Sequence, residues 1–236
     1  WTCDRYRQSG IAPERLFRSY YGSDLADFAG NEPGRLRQEL GVDAATPLVG
    51  MVAHMYPPKR YLRQARGLKG HEDLIDALAI VRARGQNVVG VIIGGAWDGA
   101  VSYEAHLRRY GGEKLGDAVR FLGNRDDVHR LYPDFDVAVH PSRSENLGGA
   151  AESLLHGIPT IATNVGGFPD LVLPEQTGWL VPPSAPARLA GAISEAIGDP
   201  VRARRLALAG QERARPLLDV RNNAREIAGI YAQVVR

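Results

Sequence analysis

The chain has 236 residues, room for one large α/β domain or one domain plus a fragment at roughly 150 residues per domain, and too little for a repeat array. Its 44% hydrophobic and 24% charged residues are a globular composition and exclude a disordered chain. The 29 basic and 27 acidic residues leave a net charge of only +2, with no Lys/Arg stripe interleaved with aromatics, so nucleic acid is not an expected partner.

Residues 5–40 carry scattered apolar positions, several Gly and Pro, and no sustained period. They read as an interdomain linker or lead-in over 1–44, with the compact domain at 45–236. From there, short apolar runs alternate with segments of helical period, the pattern of parallel strands joined by crossover helices. Strands are predicted at 48–53, 88–93, 119–121, 136–140, 160–163 and 178–181, almost unalternating, as strands buried on both faces are. Helices are predicted at 72–84, 101–110, 128–132, 148–156 and 187–197, with two more in 200–236. In the first, Leu74, Ile75, Leu78, Ala79 and Val81 share one stripe that ends at Gly85. Arg202, Arg204, Arg205, Arg213 and Arg215 read as a solvated face. The expected fold is therefore a Rossmann-like parallel sheet with helices on both faces.

One cysteine, Cys3, and the lack of any Asn-x-Ser/Thr acceptor fit a reducing compartment. Apolar runs such as 87–93 are far shorter than the roughly 20 residues of a membrane span, and no signal peptide precedes them. The expected location is the cytoplasm, with docking of the whole protein at the inner face of a membrane left open. The chain begins at Trp1 instead of methionine, which reads as a cut inside a longer protein.

In an open parallel sheet, ligands sit beyond the carboxyl ends of the strands, where loops lead into helix N-termini with unpaired N–H groups. Gly94-Gly95, Gly123-Asn124, Gly148-Gly149 and Gly166-Gly167 each follow a predicted strand. The loop Pro141-Ser-Arg-Ser-Glu-Asn-Leu-Gly-Gly149 is the most informative. Its hydroxyls, the Glu145 carboxylate and a small-residue helix start suit an anion such as a pyrophosphate, favoured at a helix N-terminus by up to about 2 kcal/mol. Glu145 suits sugar hydroxyls better than phosphate, and Glu152 returns to the same face almost two turns later. Against that stands a plain reading in which Glu145 caps the helix and Glu152 is surface. Arginine outnumbers lysine 26 to 3, so Lys69, in a loop opening onto a helix, stands out as a point charge for phosphate oxygens. Lys59, Arg60, Arg63 and Arg66 are candidates for a second cation. His54 and His140 sit at carboxyl ends of predicted strands, where they could line a pocket. No dinucleotide Gly-x-Gly-x-x-Gly, P-loop or Gly-x-Ser-x-Gly elbow occurs. Asp134-Phe-Asp136 spells a metal motif, but at the wrong end of a strand for a site.

Taken together, Pro141-Ser-Arg-Ser-Glu145, Glu152-Ser-Leu-Leu-His-Gly157-Ile-Pro159, Gly166-Gly167, Asp170 and Gly178-Trp-Leu-Val-Pro182, preceded by Lys69-Gly70-His71 and Phe121-Leu-Gly123, resemble the donor-binding half of retaining glycosyltransferases of family 4, which have the GT-B fold. Tyr21-Gly22-Ser23-Asp24 is similar to that family's link from the acceptor-binding half. The resemblance implies that Lys69 and the amides of Leu147, Gly148 and Gly149 hold the donor diphosphate, helped by a basic residue among Lys59, Arg60 and Arg66, with Asn146 also among the donor-binding residues. It implies that Glu145 binds hydroxyls of the transferred sugar, Glu152 the ribose, and Gly123, Asn124 and Arg125 the base. Lys69 and Glu145 are thus the expected catalytic pair. The spacing between the two glutamates is one residue shorter than the family's, and Leu147 stands where an aromatic is usual.

The activity implied is transfer of a hexosyl group from a nucleotide sugar such as UDP- or GDP-hexose, with no cofactor and no metal. An acceptor-binding N-terminal domain outside this chain would be the partner, and the acceptor would be a sugar or lipid-linked molecule. A non-catalytic sugar-nucleotide-binding module is the alternative. A nucleotide-sugar epimerase would need an acid/base pair, and none stands out.

Overall fold

The computed structural model describes residues 2–59, 61 and 63–235. Arg60, a candidate second cation, lies outside the described residues. In chain order the elements are α1 (Thr2–Gln8), α2 (Arg35–Leu40), β1 (Leu48–Val52), α3 (His71–Ala83), β2 (Val89–Ile93), α4 (Val101–Leu115), β3 (Val119–Gly123) and α5 (Val128–Leu131). They are followed by β4 (Val137–His140), α6 (Gly148–Leu155), β5 (Thr160–Thr163), α7 (Phe168–Leu171), β6 (Trp179–Val181), α8 (Pro186–Gly198), α9 (Pro200–Leu218) and α10 (Val220–Val234). The six strands form one parallel sheet in the order β3-β2-β1-β4-β5-β6. The order reverses between β1 and β4, which makes the crevice beyond their carboxyl ends the topological switch point.

Both faces of the sheet are buried, which is why its strands do not alternate apolar with polar. On one face Val49, Met51, Ile92, Val137 and Val139 pack against α3, α4 and α8. On the other, Leu48, Val91, Ile93 and Ala138 pack under α2 and α5, while α6, α7 and α9 cover Ala162. Leu74, Ile75, Leu78 and Val81 of α3 are fully buried, each contributing about 1.5–3 kcal/mol of apolar burial.

The differences from the sequence reading have tertiary causes. The helix predicted to end at Tyr110, before Gly111-Gly112, runs on to Leu115, because Gly111 is buried with Phe121 against its face, a ring that a Cβ there would meet at 3.0 Å. Among the described residues of 1–44, two short α-helices form, with 3-10 turns at Pro13–Arg15 and Leu25–Phe28 between them. The amides of Gly34 and Leu36 at the start of α2 donate to Asp134 at 2.7 and 2.8 Å, a cap supplied from about a hundred residues away. Asp136 in turn accepts from the Leu48 amide at 2.7 Å and from Arg37. The Asp134-Phe-Asp136 motif is thereby spent on anchoring α2 and β1. In the C-terminal stretch the break falls at Asp219, which accepts from the Arg221 amide at 2.9 Å and so caps α10.

Candidate functional site

At the switch point, the ends of β1 (Met51, Val52, Ala53) and β4 (His140) form a cavity of about 140 Å³, completed by His54, Tyr56, Lys69, Ser142, Glu145, Gly149 and Phe168. That is below the roughly 300–1,000 Å³ of a pocket enclosing a whole organic ligand. It is the size of one charged group or part of a sugar. Two larger hollows of about 560 Å³ lie along β6 and α8 and beside α10. Neither lies at the switch point between β1 and β4, so the smaller cavity is the candidate site.

Lys69 reaches this cavity through a buried scaffold. Glu72, 4% exposed, accepts from the Tyr103 hydroxyl at 2.8 Å and from the Gly67 amide at 3.2 Å, fixing the start of the loop. The Arg143 amide donates to the Leu68 carbonyl at 2.8 Å. Gly70 then turns with φ +76°, and a Cβ on it would stand 2.1 Å from the Pro141 carbonyl oxygen. Only glycine permits that approach, and the approach brings the Lys69 loop against the Pro141–Glu145 loop. The ammonium consequently pairs with the Glu145 carboxylate and lies 5.6 Å from the centre of the Tyr56 ring.

Glu145 also accepts from the Asn146 amide at 2.9 Å and the Ser142 hydroxyl at 3.3 Å. Its main chain rests on the loop after β5. The Gly167 amide donates to the Asn146 carbonyl at 2.8 Å, and Gly166, at φ +55°, lies so close that a Cβ would come within 1.6 Å of the Glu145 carbonyl oxygen. Leu147 is buried in the apolar layer beneath. α6 opens at Gly148 with no side-chain cap, which leaves its first-turn amides without intrahelical partners, and Gly149 of that turn lines the cavity.

Glu152, on α6, accepts from the buried Tyr132 hydroxyl at 3.1 Å. Burial holds its carboxyl above the ordinary value, with the Tyr132 bond and His129 pulling the other way. Tyr21 faces both glutamates. Burial, then the charges of Glu145 and Glu152, push its phenol up to about 12, and its hydroxyl lies 3.6 Å from where a Cβ on Gly148 would be. Tyr21 is held there because Ser23 bridges to the junction of α9 and α10, donating its amide to the Leu218 carbonyl at 2.7 Å. The sequence reading missed Tyr21, Tyr56, Tyr132 and Phe168 as neighbours of the site. The segment Tyr21-Gly22-Ser23-Asp24 was the one signal for any of them.

The remaining candidates fall elsewhere. Arg66 was a candidate for the diphosphate, but its guanidinium is committed to Asp73 and Asp76, both at 2.7 Å. Two carboxylates on one face of α3 outcompete a more distant anion site for a planar cation. Lys59 and Arg63 are exposed in the preceding loop, and neither lines the cavity. Asn124 accepts from the Gly95 amide at 2.8 Å, and the Gly123 carbonyl from the Gly94 amide at 2.7 Å. These bonds tie the loops after β2 and β3 together. The Arg125 guanidinium is held by Asp127 at 2.8 Å and Glu39 at 2.7 Å. Among the described residues no cluster of three potential metal ligands occurs, and no helix is long and apolar enough to cross a membrane.

A Rossmann-like parallel sheet with its cavity at the switch point and an uncapped helix start beside a lysine and two carboxylates is the architecture of a GT-B glycosyltransferase domain. The chain belongs to the glycosyl transferases group 1 family, whose model matches residues 60–213. It is 30% identical over 194 residues to D-inositol 3-phosphate glycosyltransferase of Segniliparus rotundus, over 80% of this chain and 40% of that protein. To the lipopolysaccharide core biosynthesis mannosyltransferase LpsB of Rhizobium meliloti it is 24% identical over 204 residues, 85% of this chain and 55% of that one. Among solved structures, Anabaena Alr3699/HepE in complex with UDP matches with a TM-score of 0.84 at 28% identity, over 98% of this chain and 61% of that one. The same protein is also solved with UDP-glucose. The chain spans about half the length of the relatives it matches.

Proposed function

We propose that this chain is the donor-binding domain, at 45–236, of a retaining family 4 hexosyltransferase that takes its sugar from a UDP- or GDP-hexose. The observation that carries this reading is the convergence of Lys69, Glu145 and the uncapped start of α6 on one cavity at the switch point. Glycosyl transfer needs the charge on the departing diphosphate stabilised as the anomeric C–O bond breaks. A lysine ammonium has three N–H donors, and Glu145 takes one. The others and the α6 amides are available to diphosphate oxygens from two sides, preorganised before the substrate arrives. Glu145, an acceptor beside that anion site, suits hydroxyls of the transferred sugar, and Glu152, seven residues on, suits the ribose. UDP and UDP-glucose in the Alr3699/HepE structures support a nucleotide-sugar donor here. The relatives' greater length supports a second domain, the acceptor-binding one, across the cleft, and transfer is then the work of the whole protein.

Calorimetric titration of the chain with UDP and with GDP tests this. Saturable binding of one of them below millimolar concentration is the expected result. Absence of heat for both at millimolar nucleotide would overturn the reading.

A further inference from the structure

His140 ends β4 on the face turned to α6, and its ring, only 5% exposed, forms part of the cavity wall beside Lys69, Glu145 and Gly149. It can lie there because the helix opens with glycine. A Cβ on Gly149 would stand 2.7 Å from its Nδ1.

The ring's other nitrogen belongs to a hydrogen-bonded chain whose protons can be counted. His140 Nε2 is 2.9 Å from Ser153 Oγ, Ser153 Oγ is 2.9 Å from Thr160 Oγ1, and Thr160 Oγ1 is 2.8 Å from the Ile158 carbonyl oxygen. The Ser153 hydroxyl also donates to the Ala150 carbonyl oxygen at 3.2 Å, so its one proton is spent there and its lone pairs are left to face Thr160 Oγ1 and His140. The proton of the His140–Ser153 contact then sits on Nε2, a tautomer assigned by the network. Burial, aided by the charge of Lys69, pushes the imidazole down to about 3, so the ring is neutral at pH 7. Nδ1 is then a bare lone pair with no hydrogen-bond partner among the described residues.

A lone pair beside a diphosphate site rejects unprotonated phosphate oxygens and accepts only an N–H or O–H. Of the groups on a nucleotide sugar that reach this depth, the hydroxyls of the sugar carry such a proton. We propose that His140 Nδ1 accepts a hydrogen bond from a hydroxyl of the donor's sugar, making His140 a residue that determines which sugar the cavity holds. This rests on the reading of the cavity as a nucleotide-sugar site. Glu145 and His140 then present two acceptors of fixed separation to the sugar, and a stereoisomer whose hydroxyl points away from Nδ1 leaves a buried lone pair unpaired, the kind of mismatch that discriminates strongly.

Two substitutions separate the ring's two nitrogens. His140→Gln extends an amide toward Ser153 and removes the acceptor at the Nδ1 position. His140→Asn places a carbonyl oxygen near Nδ1 and gives up the Ser153 bond. The whole chain and both variants are titrated with UDP, UDP-glucose, GDP and GDP-mannose. The expected result is that His140→Gln lowers the affinity for the nucleotide sugar relative to its nucleoside diphosphate by about 5–10-fold, as for one neutral hydrogen bond. His140→Asn should keep that ratio within about threefold. If His140→Gln leaves the ratio unchanged while UDP or GDP still binds, or if both variants lose diphosphate and nucleotide sugar in parallel, the proposal is overturned and the site reading stands. If the unsubstituted chain binds none of the four, both fall. Should His140→Gln fail to fold, nitrogen-15 spectra of the labelled native chain decide the same point. The unprotonated Nδ1 signal should move with the nucleotide sugar and not with the diphosphate, and a protonated or unmoved Nδ1 would overturn the proposal.

Discussion

Lys69 joins two demands in one side chain. It pairs with Glu145 in the free protein, and in the proposed mechanism it turns remaining donors to the diphosphate. Charge-assisted hydrogen bonds contribute about 1.5–3 kcal/mol, so Lys69→Ala should weaken UDP or GDP binding by roughly 10–100-fold, measured by calorimetry. An unchanged affinity would remove the ammonium from the site. Glu152 adds a pH signature. Burial holds its carboxyl above the ordinary value of 4.5, so as pH falls the acceptor is lost earlier than for an exposed glutamate. Tyr132→Phe removes the hydroxyl that opposes this shift. The acid limb of nucleotide binding should therefore move to higher pH in that variant, and a profile that stays put would separate Glu152 from the ligand.

At the scale of elements, the site is made by loops packed main chain to main chain. Gly166 has a positive φ and no room for a side chain above the Glu145 carbonyl. Gly166→Ala should cost roughly 1–3 kcal/mol, as overpacking does, and should also weaken nucleotide-sugar binding, because the displaced strap carries Glu145. Urea unfolding and calorimetry on the same variant read both. Arg66 makes the opposite case. Its guanidinium clamps Asp73 and Asp76 of α3, so Arg66→Ala should lower the melting temperature by several degrees while leaving UDP and GDP affinity within about twofold, the size of a contact not made. A large loss of affinity without loss of stability would return Arg66 to the donor.

Across the whole molecule, burial of histidines makes the fold acid-sensitive. His71 is pushed down to about 4 and His140 to about 3, both by burial first, against 6.5 when unfolded. The unfolded chain therefore binds more protons over the window from about pH 6.5 down to 4. Stability is fully present above that window and is lost as pH falls through it, by about 1.4 kcal/mol per pH unit for each histidine. Urea midpoints measured at pH 7.5 and pH 5 should differ accordingly. Equal midpoints would mean that these rings are not held neutral.

How much of this was legible without coordinates differs by feature. The alternation of buried strands with amphipathic helices follows from local apolar spacing, so the sheet, its parallel class and most helix bounds could be read within a residue or two. Lys69, Glu145 and the Gly148 helix start were legible because an unusual lysine and a loop of small residues mark themselves in composition. What distant segments do to one another was not. The Asp134 cap on α2, the capture of Arg66 by α3, the seat of Tyr21 over α6 and the tautomer of His140 each depend on groups brought together from separate parts of the chain. Sequence alone determined which residues could supply charge, acceptors and turns. Tertiary structure decided which of them face the same 140 Å³ of space, because a side chain's partner is set by the crossing of main chains, which local spacing does not encode.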